Sequence, residues 1–194
     1  MERAGIRRAA CSHARDLRAS CRKQTVTATD REVVSIWEIP NFVAPAGLAR
    51  YINSGDKPVD QRLDMRWNPG SSLRLQICIT LAGEPPENGA HTFATHVLTP
   101  ETELSTHYFY AASRTYMLGD ANETEANRER NRHAFEDEDK PMIEAVQERM
   151  RGSDLFELGA TMLGTDAAAI RVRRLLADLI KEEEAGSIMQ HAHE

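Results

Sequence analysis

The stretch SSLRLQICITLAG, residues 71–83, constrains the fold of this chain more than any other. Apolar and polar residues alternate along it: the apolar set is Leu73, Leu75, Ile77, Ile79 and Leu81, and the polar set is Arg74, Gln76, Cys78 and Thr80. Successive side chains of a strand point to opposite faces of its sheet, so this pattern predicts an antiparallel strand with one buried face. Such a sheet needs a second layer to cover that face.

The surrounding sequence predicts more strands of the same sheet. Residues 31–39 and 60–68 are strand candidates before it, and a short helical segment, LARYINSG, lies between those two and closes at Gly55. After the turn GEPPENG, the stretches AHTFATHVLTP and TELSTHYFYAASRTYML are rich in β-branched and aromatic residues. We therefore predict a meander of about five strands in the first two thirds of the chain.

The last third of the chain is predicted to be helical. One helix is expected over residues 122–151, and a second follows the cap signal at Thr165 and Asp166 and ends at Gly186. Strands followed by helices, rather than alternating with them, indicate an α+β fold with helices on one side of an antiparallel sheet. The predicted boundaries are a basic, flexible segment over residues 1–25, a domain over 26–186 and a tail over 187–194.

Composition excludes several classes of function. The net charge of −6 argues against nucleic acid as a partner, since such binding needs a basic face. No run of 18 apolar residues is present, so no membrane-spanning helix is predicted. The 3 cysteines, an odd number, and a start without a secretory leader indicate a reducing compartment, and we expect the cytoplasm. The arginine-rich start also has the composition of a transit peptide, but a flexible terminus is the simpler interpretation.

Four consecutive acids, residues 136–139, precede Pro141 inside the first predicted helix. At about 100° per residue, Asp139 falls in the middle of an apolar stripe, with the other three acids on the flanks or the far side. The stripe consists of Phe135, Met142, Ile143, Val146 and Met150. Two interpretations remain at this point. Asp139 caps a new helix that begins at Lys140, or it points inward as a buried ligand or base.

Two segments of the sequence, HVLTPETELSTHYFYAASRTYML and EDEDKPMIEAVQ, resemble the catalytic domain of Rieske non-haem iron oxygenases. The similarity is to the branch of vanillate O-demethylase and dicamba O-demethylase. KPVDQRLDMRWNPGSSLRL and DAAAIRVRRLL match that branch in the same order, so the resemblance covers roughly residues 30–185. It implies a helix-grip (START-like) fold, in which a curved antiparallel sheet clasps a long C-terminal helix.

The resemblance also implies a site and a reaction. Asp139 is expected to be the carboxylate of a facial triad of two histidines and one carboxylate that holds Fe(II). His96 and Leu75 match positions that line the substrate cavity, and the alternative for His96 is a hydrogen-bonded core histidine. His107, Tyr108 and Tyr110 are interpreted as sheet and core residues. The expected reaction is the O2-dependent demethylation or hydroxylation of an aromatic substrate. A Rieske protein and a reductase are the expected partners, and a homotrimer is a possible assembly.

Other elements of the family pattern are not found in this sequence. Cys11 and His13 mimic half of a Rieske cluster motif, but Cys21 has no histidine two residues later, so no [2Fe–2S] cluster is expected in this chain. His91 and His96 have the spacing of the iron-binding histidines, but an offset of five along a strand sends them to opposite faces. The chain is therefore expected to be incomplete alone, with its catalytic residues undefined. The alternatives are a non-catalytic module that binds a hydrophobic small molecule, and a split enzyme completed by a partner chain.

Overall fold

The computed structural model describes residues 22–70, 72–150, 152 and 155–191. Six strands form one antiparallel meander in the order of the sequence. They are β1 (Lys23–Ala28), β2 (Val33–Val43), β3 (Pro58–Asn68), β4 (Ser72–Leu81), β5 (Ala90–Pro100) and β6 (Thr106–Arg114). The helices are α1 (Ala46–Ala49), α2 (Ala121–Arg132), α3 (Lys140–Met150) and α4 (Ala167–His191). A π-helical turn (His133–Asp139) joins α2 to α3, and short 3₁₀ turns cover Pro86–Asn88 and Gly164–Asp166.

The predicted α+β fold is confirmed, and β2 to β6 lie where the sequence places strands. Strand β1 was not predicted, and it begins inside the segment expected to be flexible. Its sequence, KQTVTA, is mostly polar, and several of its residues are exposed, so it carries no clear apolar alternation. The polar side chain of Gln24 instead donates a hydrogen bond to Ser35 Oγ at 3.2 Å.

The register assigns the strand residues to two faces. Trp67 lies opposite Leu73, Leu73 opposite His96, and His96 opposite Tyr110. Residues directly opposite each other in an antiparallel pair share a face, so these four define what we call the inner face. The opposite, outer face carries charged pairs, including Arg62 with Glu38 at 3.3 Å and Arg66 with Asp64 at 3.0 Å.

Strand β4 departs from the prediction that it buries only one face. Cys78 and Thr80 belong to the outer face, yet each is 5% exposed. The 3₁₀ turn and the residues after it fold over them, and the Pro86 carbonyl lies 3.8 Å from Cys78 Sγ. Leu73 and Leu75, on the inner face, are only half-buried. The alternation therefore predicted the strand correctly but not which of its residues are most buried.

The buried core lies at one end of the inner face. Val59 is fully buried at 0% exposure, and it packs with the small or apolar residues Ala44, Ala49, Ile79 and Ala90. Partly buried hydrophobic residues surround this cluster: Phe42, Leu48, Tyr51, Ile52 and Tyr116. At the other end of the inner face, Val33 and Trp67 lie opposite each other and are also buried, at 2% and 5% exposure.

Two helical layers flank the inner face. Helix α4 lies along β1 and β2, where Arg171 Nη1 donates to the Val26 carbonyl at 3.0 Å. On the other side, the π turn lies against β5 and β6. The prediction that the last helix ends at Gly186 is wrong, because α4 continues to His191 and a single glycine inside a helix is tolerated. Within the described part of the chain, no helix combines the length and apolar character that crossing a bilayer requires.

Candidate functional site

The π turn meets the sheet through one phenylalanine. The Phe135 ring centroid lies 4.3 Å from that of Tyr110, 5.7 Å from that of Tyr108 and 5.7 Å from that of His96. The contacts with Tyr108 and His96 are edge-on, a favourable arrangement because ring edges are positive and ring faces are negative. We call these four residues the aromatic cluster. It is built from β5, β6 and the π turn.

A hydrogen bond inside the aromatic cluster joins His96 to Tyr108 and orients the imidazole ring. His96 Nδ1 and the Tyr108 hydroxyl are 2.7 Å apart. Burial lowers the pKa of His96, so the imidazole is neutral near pH 7. Burial, and then the charge of Asp139, raise the pKa of Tyr108, so its phenol keeps its proton. In the tautomer in which the phenol donates to Nδ1, Nε2–H of His96 is a donor with no acceptor among the described residues.

Leu75 extends the cluster along the inner face as an apolar surface. It lies opposite Ala94 on β5 and opposite Met65 on β3, and it is a diagonal neighbour of His96 across β4 and β5. Met65 is 40% exposed. The structure thus places the two predicted substrate-binding residues, His96 and Leu75, on one accessible apolar surface. Their role in binding stays a prediction.

Asp139 is the last residue of the π turn, and its side chain is exposed rather than buried as the helical wheel predicted. The stripe around it is uncovered too: Met142 is 66% exposed, Ile143 58% and Val146 49%. Asp139 follows Phe135 of the aromatic cluster by four residues in the π turn, and its charge contributes to the raised pKa of Tyr108.

The interpretation of Asp139 as a helix cap is not supported by the backbone. The N–H of Lys140 donates to the carbonyl of Phe135, so the helical hydrogen bonding continues through this segment. An N-cap residue lies at the start of a helix and has non-helical backbone angles. Asp139 instead lies inside a continuous helical run.

The described residues do not form an iron site. No group of three histidine, cysteine or acidic side chains in the described part of the chain could hold a metal ion. Three of the histidines have other partners. His96 Nδ1 is hydrogen-bonded to the Tyr108 hydroxyl, His133 Nδ1 lies 3.0 Å from Asp137 Oδ2, and His91 Nε2 lies 2.8 Å from the Pro86 carbonyl oxygen. His91 also lies on the outer face, opposite to His96, as the strand spacing predicted. Cys11, His13 and Cys21 lie outside the described residues.

A polar cluster that was not predicted from the sequence joins α2 to the segment after α1. The side chain of Glu123 is 2% exposed and accepts bonds of 2.6 Å from Arg50 and from Arg130. Asn127 and the Tyr51 hydroxyl also donate to it, at 2.8 and 3.3 Å. Burial alone would raise the pKa of Glu123, but the hydrogen bond and charge of Arg130, with the charge of Arg50, outweigh it and lower the pKa. We call this the Glu123 cluster.

The Glu123 cluster could have been predicted from the sequence more readily than the aromatic cluster. Glu123, Asn127 and Arg130 are spaced four and three residues apart on α2, so they share a helix face, and this spacing could have marked them as partners. Tyr108 and Tyr110 were interpreted as sheet and core residues. Their contacts with Phe135 depend on the docking of the π turn on the sheet, which no local pattern gives.

The chain is similar to known oxygenase components. Residues 13–182 match the family model described as the vanillate O-demethylase oxygenase C-terminal domain. The chain is 32% identical, over 84% of its length, to the oxygenase component of dicamba O-demethylase from Stenotrophomonas maltophilia. It is 37% identical, over 74% of its length, to the oxygenase component of chloroacetanilide N-alkylformylase from Rhizorhabdus wittichii (strain DC-6 / KACC 16600). It spans 48% and 40% of these relatives, respectively.

Comparison with solved structures also finds similarity to an oxygenase. Dicamba monooxygenase bound to 3,6-dichlorosalicylic acid superposes with a TM-score of 0.75 at 33% identity, covering 84% of this chain and 48% of that chain. Dicamba monooxygenase with non-haem iron and dicamba superposes with a TM-score of 0.71 at 33% identity, covering 84% of this chain and 50% of the other. The curved sheet and long last helix are therefore those of a known oxygenase.

Proposed function

We propose that this chain, which belongs to the family of vanillate O-demethylase oxygenase C-terminal domains, holds an aromatic substrate during O2-dependent oxidative demethylation or hydroxylation. The observation that carries the proposal is the aromatic cluster on an accessible apolar face. It combines aromatic rings with one histidine, His96, which the hydrogen bond to Tyr108 orients and whose Nε2 is the candidate donor to a ligand. Ligand sites of this kind are mostly apolar and fix the ligand with few polar groups.

Each residue then has a defined task in substrate binding. The rings of Phe135 and Tyr110 contact the aromatic ring of the substrate, and Leu75 contacts its apolar edge. Nε2–H of His96 donates to an oxygen of the substrate. Tyr108 holds the imidazole in that tautomer. Dicamba and 3,6-dichlorosalicylic acid, the ligands of the similar solved structures, are aromatic acids of the class that such a surface suits.

Oxygen activation in this proposal belongs to a mononuclear iron, and one similar solved structure contains non-haem iron. Asp139 is the candidate carboxylate ligand. Because the described residues form no three-ligand site, no step of oxygen chemistry is assigned to them. The relatives are named as oxygenase components, which supports separate partners. We propose that a Rieske centre and a reductase deliver electrons to the complete site, in a homotrimer or another assembly.

A second function, a metal-free module that binds a hydrophobic small molecule, is favoured by one observation. The described residues bring an apolar surface together but not the ligands of a metal. The two functions share the accessible apolar surface and differ in their need for iron. Binding measurements with and without iron therefore separate them.

We predict that the isolated chain binds 3,6-dichlorosalicylate and that His96→Ala weakens this binding about tenfold, the effect of losing one hydrogen bond to a charged oxygen. Trp37 and Trp67 lie on the inner face, so tryptophan fluorescence and calorimetry can follow the titration. His107→Ala is the matched control, because His107 lies on the outer face of β6. Equal weakening in both variants would contradict the assigned role of His96.

We also predict that the isolated chain does not bind Fe(II) stoichiometrically at micromolar concentration, because the described residues bring no group of three ligands together around the candidate carboxylate Asp139. Anaerobic calorimetry on the chain and on Asp139→Ala measures this directly. Stoichiometric binding that disappears in Asp139→Ala would show that histidines outside the described residues complete the site. Binding of 3,6-dichlorosalicylate that is unchanged by added iron would support the metal-free module.

A further inference from the structure

The helix that carries Phe135 and Asp139 is interrupted by the π turn, and the interruption is visible in its backbone hydrogen bonds. The Lys140 N–H donates to the Phe135 carbonyl, five residues back, where an α-helix would use the fourth. Pro141 follows directly. Its ring clashes with the carbonyl four residues earlier in a regular α-helix, and a widened turn relieves that clash.

A π turn absorbs one extra residue, so everything after it is rotated by about 100° relative to a straight α-helix. On α2, the sheet-facing residues Glu123, Asn127 and Arg130 share one side. In a straight helix, the stripe of Met142, Ile143 and Val146 would lie about 140° away from that side, by the helical angle per residue. The extra residue reduces this to about 40°. The π turn therefore brings the apolar side of α3 onto the same side as the docked face of α2.

Two side-chain contacts in the turn join residues five apart, a spacing that a π turn favours over an α-helix. Arg132 makes a two-pronged contact with Asp137, with Nη1 to Oδ1 at 3.1 Å and Nη2 to Oδ2 at 3.0 Å. His133 Nε2 lies 3.4 Å from Glu138 Oε1. Both pairs are five residues apart. Such residues are about 140° apart in an α-helix but about 50° apart in a π turn of about 4.4 residues.

We propose that the pairs Arg132–Asp137 and His133–Glu138 form a clamp that holds the π turn and thereby positions Phe135 and Asp139. This assigns different tasks to the four consecutive acids. Asp137 and Glu138 hold the turn, whereas Asp139 is the last residue of the turn and makes no contact in the clamp. The contacts of Glu136 with Arg132 at 3.8 Å and of Asp137 with His133 at 3.0 Å have the spacing of four that an ordinary helix also allows. The importance of the clamp for substrate binding rests on the proposed function.

The contact between the Phe135 and Tyr110 rings reports on the clamp without ligand or metal. Their centroids are 4.3 Å apart, so nuclear Overhauser effects between the rings should be strong. In the double variant Asp137→Asn/Glu138→Gln we expect these signals to be lost. In the control Glu136→Gln, which also changes one acid of the same turn to its amide, we expect them to be kept. Retention of the signals in the double variant would overturn the proposal.

A charge exchange separates loss of the clamp from general unfolding. Asp137→Arg should abolish the Phe135–Tyr110 signals, and Arg132→Glu/Asp137→Arg should restore them. The contact between Tyr51 and Tyr116, with centroids 4.1 Å apart, shows in each variant that the rest of the domain is folded. A folded exchange variant without restored signals would count against the clamp. If 3,6-dichlorosalicylate affinity stays unchanged when the signals are lost, the proposed binding function fails while the clamp stands.

Discussion

Replacing Glu123 by glutamine is expected to lower the free energy of unfolding by about 2–3 kcal/mol. The side chain is almost fully buried, and its two carboxylate oxygens accept hydrogen bonds of 2.6 Å from the Nη2 atoms of Arg50 and Arg130. The amide removes the negative charge and leaves the two guanidinium groups close together. Their own exposure, 45% and 48%, lets them turn partly to water, which keeps the loss at the lower end of the range for broken buried pairs. Urea denaturation measures the change.

The same carboxylate gives a pH dependence with a defined sign. Its pKa is lowered in the folded protein, so its contribution to stability is complete above the unfolded value of about 4.3. This contribution is lost as the pH falls through the folded pKa. The difference in stability between the natural chain and Glu123→Gln should therefore shrink as the pH is lowered from 6 to about 3. Glu129→Gln, which removes an exposed partner of Arg132, is the control and should change stability little. Equal losses in both variants would show that burial of Glu123 is not the cause.

The fold was largely predictable because the sheet is built from local patterns. Alternation in residues 71–83 predicted β4, and the aromatic and β-branched runs after it predicted β5 and β6, so these local signals gave three of the five predicted strands. Strand β1 was not predicted, because it has no apolar pattern of its own. It is held by pairing with β2, where Val26 lies opposite Ser35.

The candidate site was less predictable, and the helix shows why. A helical wheel with a constant angle puts Phe135 and Asp139 on one side, because only four residues separate them. It could not place them relative to α2, since the π turn changes the angle between the two segments by about 100°. The bond between His96 and Tyr108 depends on the register of β5 and β6, in which Leu98, not His96, lies opposite Tyr108. Such contacts join residues that no local period relates.

Gly89→Ala is expected to destabilise the domain by about 2 kcal/mol, because a methyl group does not fit there. A Cβ at this position would lie 2.8 Å from the Ile79 carbonyl oxygen, 2.8 Å from Thr80 Cγ2 and 2.9 Å from Cys78 Sγ. Backbone strain is not involved, since φ of Gly89 is −89°. The Ile79 carbonyl belongs to a central strand and cannot move alone, so the turn over Cys78 must lift. Thermal or urea denaturation measures the loss of stability.

The lifting of that turn gives a second, independent signal. Cys78 is 5% exposed, and burial raises the pKa of its thiol, so it should react slowly with an alkylating reagent in the natural chain. In Gly89→Ala, peptide-resolved alkylation of Cys78 should become faster. Gly119→Ala is the matched control, because a Cβ there meets no atom within 4 Å, and the smaller entropy of its unfolded chain should leave stability unchanged or slightly raised. Equal stability of Gly89→Ala and Gly119→Ala, together with slow alkylation of Cys78 in both, would contradict this prediction. It would mean that the turn accommodates the methyl group without lifting from Cys78.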